Sequence, residues 1–93
     1  MPDAAIIGFS KVDTALITTN LVPSKLILEG YEVVLNGATG NAHNGGGDHA
    51  EGVWSVVAAS KLTVGGYKVA IDGNEATCGD AVIATSKLSV AIE

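Results

Sequence analysis

Short aliphatic runs, broken by glycine and by small polar residues, set the rhythm of this chain. Leu26-Ile27-Leu28-Glu29 and Glu32-Val33-Val34-Leu35 flank Gly30, and no 3.6-residue period persists through either. Their β-branched and aliphatic content predicts the two arms of a hairpin. Gly65-Gly66 marks a second turn of the same kind. Asn36-Gly37 and Asp72-Gly73 are turn dipeptides that end the second arms. Strands this short, punctuated this often, predict an all-β domain.

The pattern repeats. Ser24-Lys25-Leu26 opens SKLILEGYEVVLNG, and Ser60-Lys61-Leu62 opens SKLTVGGYKVAIDG. In both, Gly falls six residues after Ser, Tyr seven and Val nine. A third copy begins at Ser86-Lys87-Leu88-Ser89-Val90. An aliphatic arm precedes each copy: Leu16-Ile17-Thr18-Thr19, Val56-Val57-Ala58-Ala59 and Val82-Ile83-Ala84-Thr85. Each unit therefore reads as strand, corner, hairpin, turn. Three such units predict a small cone of short β-hairpin repeats around a pseudo-threefold axis, in a single domain spanning 1–93. The connection from Gly37 to Ser60 is longer than that from Gly73 to Ser86. Its surplus, ATGNAHNGGGDHAEG, is Gly-rich and polar and reads as a loop, where functional sites concentrate.

Composition narrows the class. A chain of 93 residues buries a thin core, so a metal or a partner subunit would help to hold it. The formal charge is −5 and there is no arginine, which argues against nucleic-acid binding. No apolar run reaches the length of a membrane span. The start, MPDAAIIGFSK, lacks the positive region expected of a secretory leader, so synthesis in the cytoplasm is expected. A single cysteine makes no internal disulfide.

Candidate chemistry rests on His43, His49 and Cys78. Thiolate plus imidazole suits zinc, normally tetrahedral. The spacing matches no zinc finger, but His49 and Cys78 each sit at the approach to a repeat, where equivalent positions of a threefold fold converge. Asp13 precedes its SKL by eleven residues, as His49 does, and is one choice of fourth ligand; Asp48, Asp80 and water are the others. The plain alternative is two surface histidines and a cysteine serving as a small hydrophobe. A Cys78 nucleophile with His49 as base would need an oxyanion hole, for which the sequence offers nothing, so no enzymatic activity is expected. Gly45-Gly46-Gly47 lacks the Lys-Ser/Thr and the helix of a phosphate loop. Trp54 is expected to pack beneath the Gly-rich loop, and Tyr31 and Tyr67 to play matching structural parts.

These repeats resemble the PAAR-repeat proteins, the conical tips of contractile injection machines such as type VI secretion systems and phage tails. The resemblance is carried by Ala59-Ser60-Lys61-Leu62-Thr63-Val64, by Val69-Ala70-Ile71-Asp72-Gly73-Asn74-Glu75-Ala76-Thr77, and by Thr77-Cys78-Gly79-Asp80-Ala81-Val82-Ile83-Ala84-Thr85-Ser86. It covers most of the chain from about Ser24. The Pro-Ala-Ala-Arg tetrad itself is absent; Asn74-Glu75-Ala76-Thr77 stands in its place, and the Gly-Tyr hairpin is longer than usual. The resemblance implies zinc on His43, His49 and Cys78. The family's usual set is three His and one Cys, and this chain has two His. It also implies a non-enzymatic tip capping a trimeric β-helical spike, VgrG-like or from a phage baseplate, with one chain per trimer and transient contact with a target membrane. Such a component is made in the cytoplasm and delivered outside the cell as part of a particle. A biotinyl- or lipoyl-like carrier domain, modified at Lys68 beside Gly65-Gly66, is the alternative from another class. A module of a larger adhesin is a third.

Overall fold

Three extended segments, residues 4–8, 33–37 and 69–73, meet in a closed triangle at the centre of the computed structural model, which describes residues 3–28, 30–43 and 47–84. Ala5 donates its N–H to Ala70 O (3.0 Å), Ala70 to Val34 O (2.8 Å), and Val34 to Ala5 O (2.8 Å). A second set circulates in the opposite sense. Ile7 donates to Glu32 O (2.8 Å), Asn36 to Lys68 O (2.9 Å) and Asp72 to Asp3 O (2.9 Å). The antiparallel bridges Ala4↔Ile71, Ile6↔Val33 and Leu35↔Val69 express the same closure. Each segment thus satisfies its backbone groups on both neighbours, and the triangle has no open edge within it.

Alternation along these segments splits the interior in two. Ala4, Ile6, Val33, Leu35, Val69 and Ile71 form one apolar cluster, with Leu26, Leu62, Val64 and Tyr67 packed against it. Ala5, Val34 and Ala70 point the other way, into a cluster with Val12, Ile17, Val56, Trp54 and Val82. The hairpins therefore lie on one side of the triangle and Trp54 on the other.

Among the described residues ten short strands run around this centre: β1 Lys11–Val12, β2 Ala15–Thr19, β3 Ile27–Leu28, β4 Tyr31–Glu32, β5 Thr39–Gly40, β6 Val56–Val57, β7 Thr63–Val64, β8 Tyr67–Lys68, β9 Glu75–Ala76 and β10 Val82–Ile83. Four form a sheet in the order β10-β1-β2-β5; β3–β4, β6–β9 and β7–β8 pair on their own. Among the described residues the chain is all-β apart from one 3-10 turn at Gly47–His49. No helix among the described residues is long and apolar enough to cross a membrane.

Both expected hairpins form, with shorter ladders than their aliphatic runs suggest. β7 and β8 pair Val64↔Tyr67 and Thr63↔Lys68 across Gly65-Gly66, whose φ values are 61° and 86°. Two consecutive left-handed residues define the type I′ turn that matches strand twist. Val33–Leu35 and Val69–Ile71 leave their hairpins to build the triangle, which is why the second arms stop early. All three upstream arms are strands (β2, β6, β10). The Gly-rich loop is less irregular than its composition, because it contains β5 and the 3-10 turn. The third SKL run, from Ser86, lies outside the described residues.

Every triangle segment ends on a glycine in the left-handed region: Gly8 (φ 84°), Gly37 (91°) and Gly73 (92°). Each then donates to the strand that returns, at Ile17 O (2.8 Å), Val56 O (2.8 Å) and Val82 O (2.9 Å). The preceding Asn36 and Asp72 do one identical job. Asn36 Oδ1 accepts the N–H of Ala58 (2.9 Å), and Asp72 Oδ1 accepts that of Ala84 (2.8 Å). These side chains peg each turn to its returning strand. Gly40 is constrained by space rather than by φ: a Cβ there would strike the Leu16 carbonyl oxygen and the Ile17 Cα, both backbone.

Two substitutions separate these roles. Gly73→Ala meets open space and faces only the left-handed penalty, so a loss of about 1–2 kcal/mol is expected. Gly40→Ala must push β5 off β2 and is expected to cost about 3 kcal/mol or more. Urea unfolding measures both; a neutral Gly40→Ala would contradict the close approach of β5 to β2.

Candidate metal centre

His43, His49, Cys78 and Asp80 come together on the Trp54 side of the triangle. The lengths of the turns explain where. Gly8 to Ile17 and Gly73 to Val82 are equal spans, whereas Gly37 to Val56 is longer. The extra residues form the loop that carries both histidines across to the turn of the last unit.

Backbone bonds fix that loop. Asn41 N–H donates to Leu16 O (3.1 Å) and Gly52 N–H to Gly40 O (3.2 Å). The Trp54 indole N–H donates to Asn41 O (3.0 Å), so the buried ring holds the strand end just before His43. His43 N–H donates to His49 O (2.9 Å), which closes the loop on itself and sets the two imidazoles side by side. Cys78 and Asp80 flank Gly79, whose φ of 94° reverses the chain. Gly79 N–H donates to Ala76 O and Ala76 N–H to Asp80 O, each at 2.9 Å. Loop and turn are cross-tied at Ser55 and Thr77: Thr77 N–H donates to Ser55 O (2.8 Å), and Ser55 N–H to Thr77 Oγ1 (3.0 Å).

The polar atoms converge. His43 Nε2 lies 2.8 Å from Asp80 Oδ2 and 3.2 Å from His49 Nδ1. His49 Nδ1 is 3.1 Å from the same Asp80 oxygen. Cys78 Sγ lies 3.8 Å from His43 Nε2 and 3.7 Å from Asp80 Oδ2. One ring nitrogen offers a single hydrogen or a single lone pair, so His43 Nε2 cannot bond all three neighbours. A shared cation can. Metal–ligand distances of about 2.0–2.3 Å place tetrahedral ligand atoms roughly 3.3–3.8 Å apart. The four atoms here all lie within 4.8 Å of one another, with one ligand atom from each residue. One thiolate and one carboxylate would also neutralise a divalent ion. The donor set and its spacing therefore fit a metal.

The burial is graded. His43 is buried and the other three are half-buried. Its ring packs edge-on against Trp54 (centroids 5.6 Å apart) and against His49 (4.8 Å). Its Nδ1 is buried without a hydrogen-bond partner among the described residues. Ring orientation thus comes from packing and from the backbone bond to His49, not from an outer carboxylate of the usual kind. The hydrogen bond from His43 holds the Asp80 carboxyl below its ordinary value of 3.8; the nearby His49 charge adds to this, and partial desolvation opposes it.

His43, His49 and Cys78, the three candidates from the sequence, meet here, and Asp80 joins them in a group that could hold a metal ion. Asp13 and Asp48 do not belong to the group. Asp13 instead shapes the β1–β2 turn, with φ of 56° and its N–H directed to Ala81 O (3.3 Å). The signal for Asp80 was its place one glycine beyond Cys78, since a left-handed Gly brings its two neighbours to one side. Comparison with family models and with curated proteins returned no match.

Asp80→Asn and Cys78→Ser are expected to weaken metal retention about 100-fold or more, because loss of a supporting ligand alone costs 10–100-fold. Asp13→Asn is expected to leave it unchanged. Elemental analysis after dialysis against a weak chelator checks all three. Acid should act in a defined direction. Asp80 has a lowered folded-state value, so its contribution is full above the ordinary carboxylate range and is lost as pH falls through the lowered value. Protons also compete for the imidazoles and the thiolate, so loaded protein should lose stability with acid earlier than Cys78→Ser protein.

Proposed function

We propose that this protein is a PAAR-like, non-enzymatic tip that caps a trimeric β-helical spike and carries one zinc ion at its loop end. The observation that supports this reading best is the cyclic set of bonds joining Ala5, Ala70 and Val34. A single chain that closes three segments in a triangle offers three similar edges to a threefold partner. One such chain satisfies three subunits at once, which favours one tip per trimer.

The two sides of the triangle suit the two ends of a tip. The hairpin side carries the Leu35–Ile71 cluster and offers the exposed pair Phe9 and Tyr31, stacked edge-on with centroids 5.3 Å apart. This side is assigned to the spike, whose free end presents strand edges and core residues that need cover. The opposite side carries the His/Cys/Asp cluster. Zinc suits that donor set, and when bound it would cross-link the histidine loop to the last turn at the end where the apolar core thins out. That is a mechanical role, a point kept rigid while it is driven through a membrane. No substrate pocket is part of this reading.

The carrier-domain reading has less support. Lys68 lies opposite Thr63, one pair inside the turn-flanking Val64↔Tyr67, so Gly65-Gly66 and not the lysine forms the hairpin tip.

Size-exclusion chromatography with light scattering tests the proposal on a co-expressed trimeric spike. The expected complex holds one chain per trimer. A three-to-three complex, or no complex with the spikes of neighbouring injection genes, would count against it. So would a lipoyl or biotinyl mass increase on Lys68.

A further inference from the structure

The most buried side chain of the cluster is the one with an unused polar atom. His43 has a side chain only 1% exposed, and its Nδ1 has no hydrogen-bond partner among the described residues. Its Nε2 faces the cluster, 2.8 Å from Asp80 Oδ2 and 3.2 Å from His49 Nδ1. A neutral imidazole carries one N–H hydrogen. Without a metal that hydrogen can sit on Nε2 and go to Asp80, which leaves Nδ1 a bare lone pair. An imidazole that ligates a cation through Nε2 must carry its hydrogen on Nδ1. The orphan atom then becomes a buried donor, and a buried donor without an acceptor is costly. Metal sites usually hand that hydrogen to a carboxylate, a carbonyl or a water.

What His43 has instead is an aromatic wall. Trp54 is fully buried, and its ring lies 5.6 Å from the imidazole, centroid to centroid, with 74° between the planes. That is an edge-to-face pair, and the electron-rich face of an indole accepts an N–H. The other neighbouring ring, His49, meets His43 on the cluster side, where its Nδ1 approaches His43 Nε2. The indole is also held in place. Its N–H donates to Asn41 O (3.0 Å), two residues before His43. The next residue, Ser55, exchanges bonds with Thr77, the neighbour of Cys78: Ser55 N–H to Thr77 Oγ1 (3.0 Å) and Thr77 N–H to Ser55 O (2.8 Å). Trp54 is thus pinned between the strand end that leads to His43 and the turn that carries Cys78.

We propose that the Trp54 ring face accepts the His43 Nδ1–H when His43 Nε2 ligates a metal, so that Trp54 is the positioning residue that fixes the tautomer and the orientation of the buried imidazole. It takes the part an outer carboxylate usually plays. An indole does so without adding charge. The Cys78 thiolate and the Asp80 carboxylate already match a divalent ion, and a third anion beside His43 would leave the buried end of the site with an excess negative charge. The inference rests on the zinc reading of the cluster and is independent of the spike reading.

Zinc titration of the full chain, followed by NMR and by competition with a coloured chelator, tests it. In the loaded protein the His43 Nδ1–H should give a slowly exchanging proton resonance. The indole face should shift it upfield of an imidazole N–H held by an oxygen. Two variants separate the ring face from the indole N–H. Trp54→Phe keeps an aromatic face and loses the bond to Asn41; Trp54→Leu loses both. Trp54→Phe is expected to hold zinc within about five-fold of the unaltered chain and to keep the upfield proton. Trp54→Leu is expected to weaken zinc binding about ten-fold or more, as loss of an outer partner does. Equal losses in the two variants would reduce Trp54 to an anchor for Asn41 and overturn the proposal. A downfield, oxygen-bonded Nδ1–H would overturn it too and assign the hydrogen to a buried water. An unaltered chain that takes up no zinc would overturn the zinc reading and this inference together, whereas zinc uptake with an unshifted proton would overturn this inference alone. Should Trp54→Leu fail to fold, the proton shift in the unaltered chain decides.

Discussion

Three backbone hydrogen bonds, from Ala5 to Ala70, from Ala70 to Val34 and from Val34 to Ala5, are what the rest of this structure depends on. They bring residues far apart in sequence into one closed unit and leave no strand edge inside it. Small side chains make this possible. Ala5 and Ala70 place small side chains at two of the three bonded positions, and all three residues are fully buried. Because alternate residues point to opposite sides, the same triangle sorts the chain into a hairpin side and a loop side. The left-handed glycines at positions 8, 37 and 73 turn each segment back onto its returning strand. The His/Cys/Asp cluster is carried by the loops that follow Gly37 and Gly73.

Much of this was legible in the sequence, and the parts that were not have physical reasons. The two SKL hairpins announced themselves through Gly-Tyr and Gly-Gly-Tyr at one offset, because turn geometry admits few residues. The first triangle segment, Ala4-Ala5-Ile6-Ile7-Gly8, gave little sign of itself. It shares only aliphatic character and a terminal glycine with Val33–Gly37 and Val69–Gly73. It also has Ile7 where the others have Asn36 and Asp72, so it lacks the polar peg that marks them. The lengths of the strand ladders were overread for a related reason. Aliphatic alternation looks the same whether a strand pairs with its hairpin partner or leaves it to close a triangle.

The metal cluster was legible as a set of residue types and only partly as a site. His43, His49 and Cys78 stood out as the chain's only soft ligands, and the structure brings their side chains together. Choosing Asp80 over Asp13 and Asp48 needed the backbone. Asp13 occupies a left-handed turn that is bonded to Ala81, while Gly79 folds Asp80 back beside Cys78. The buried His43, braced by Trp54, provides the fixed corner on which the other three side chains converge. A metal bound there would tie the loop to the last turn of a small domain whose apolar core is thin.

We propose that the fold delivers one thiolate, two imidazoles and one carboxylate to a single zinc ion. Zinc-edge X-ray absorption on purified protein tests this most directly. The expected result is one zinc per chain in a four-coordinate shell of one sulfur at about 2.3 Å and three nitrogen or oxygen atoms at about 2.0–2.2 Å. A shell without sulfur, a six-coordinate oxygen shell, or fully stable protein that takes up no zinc would contradict it.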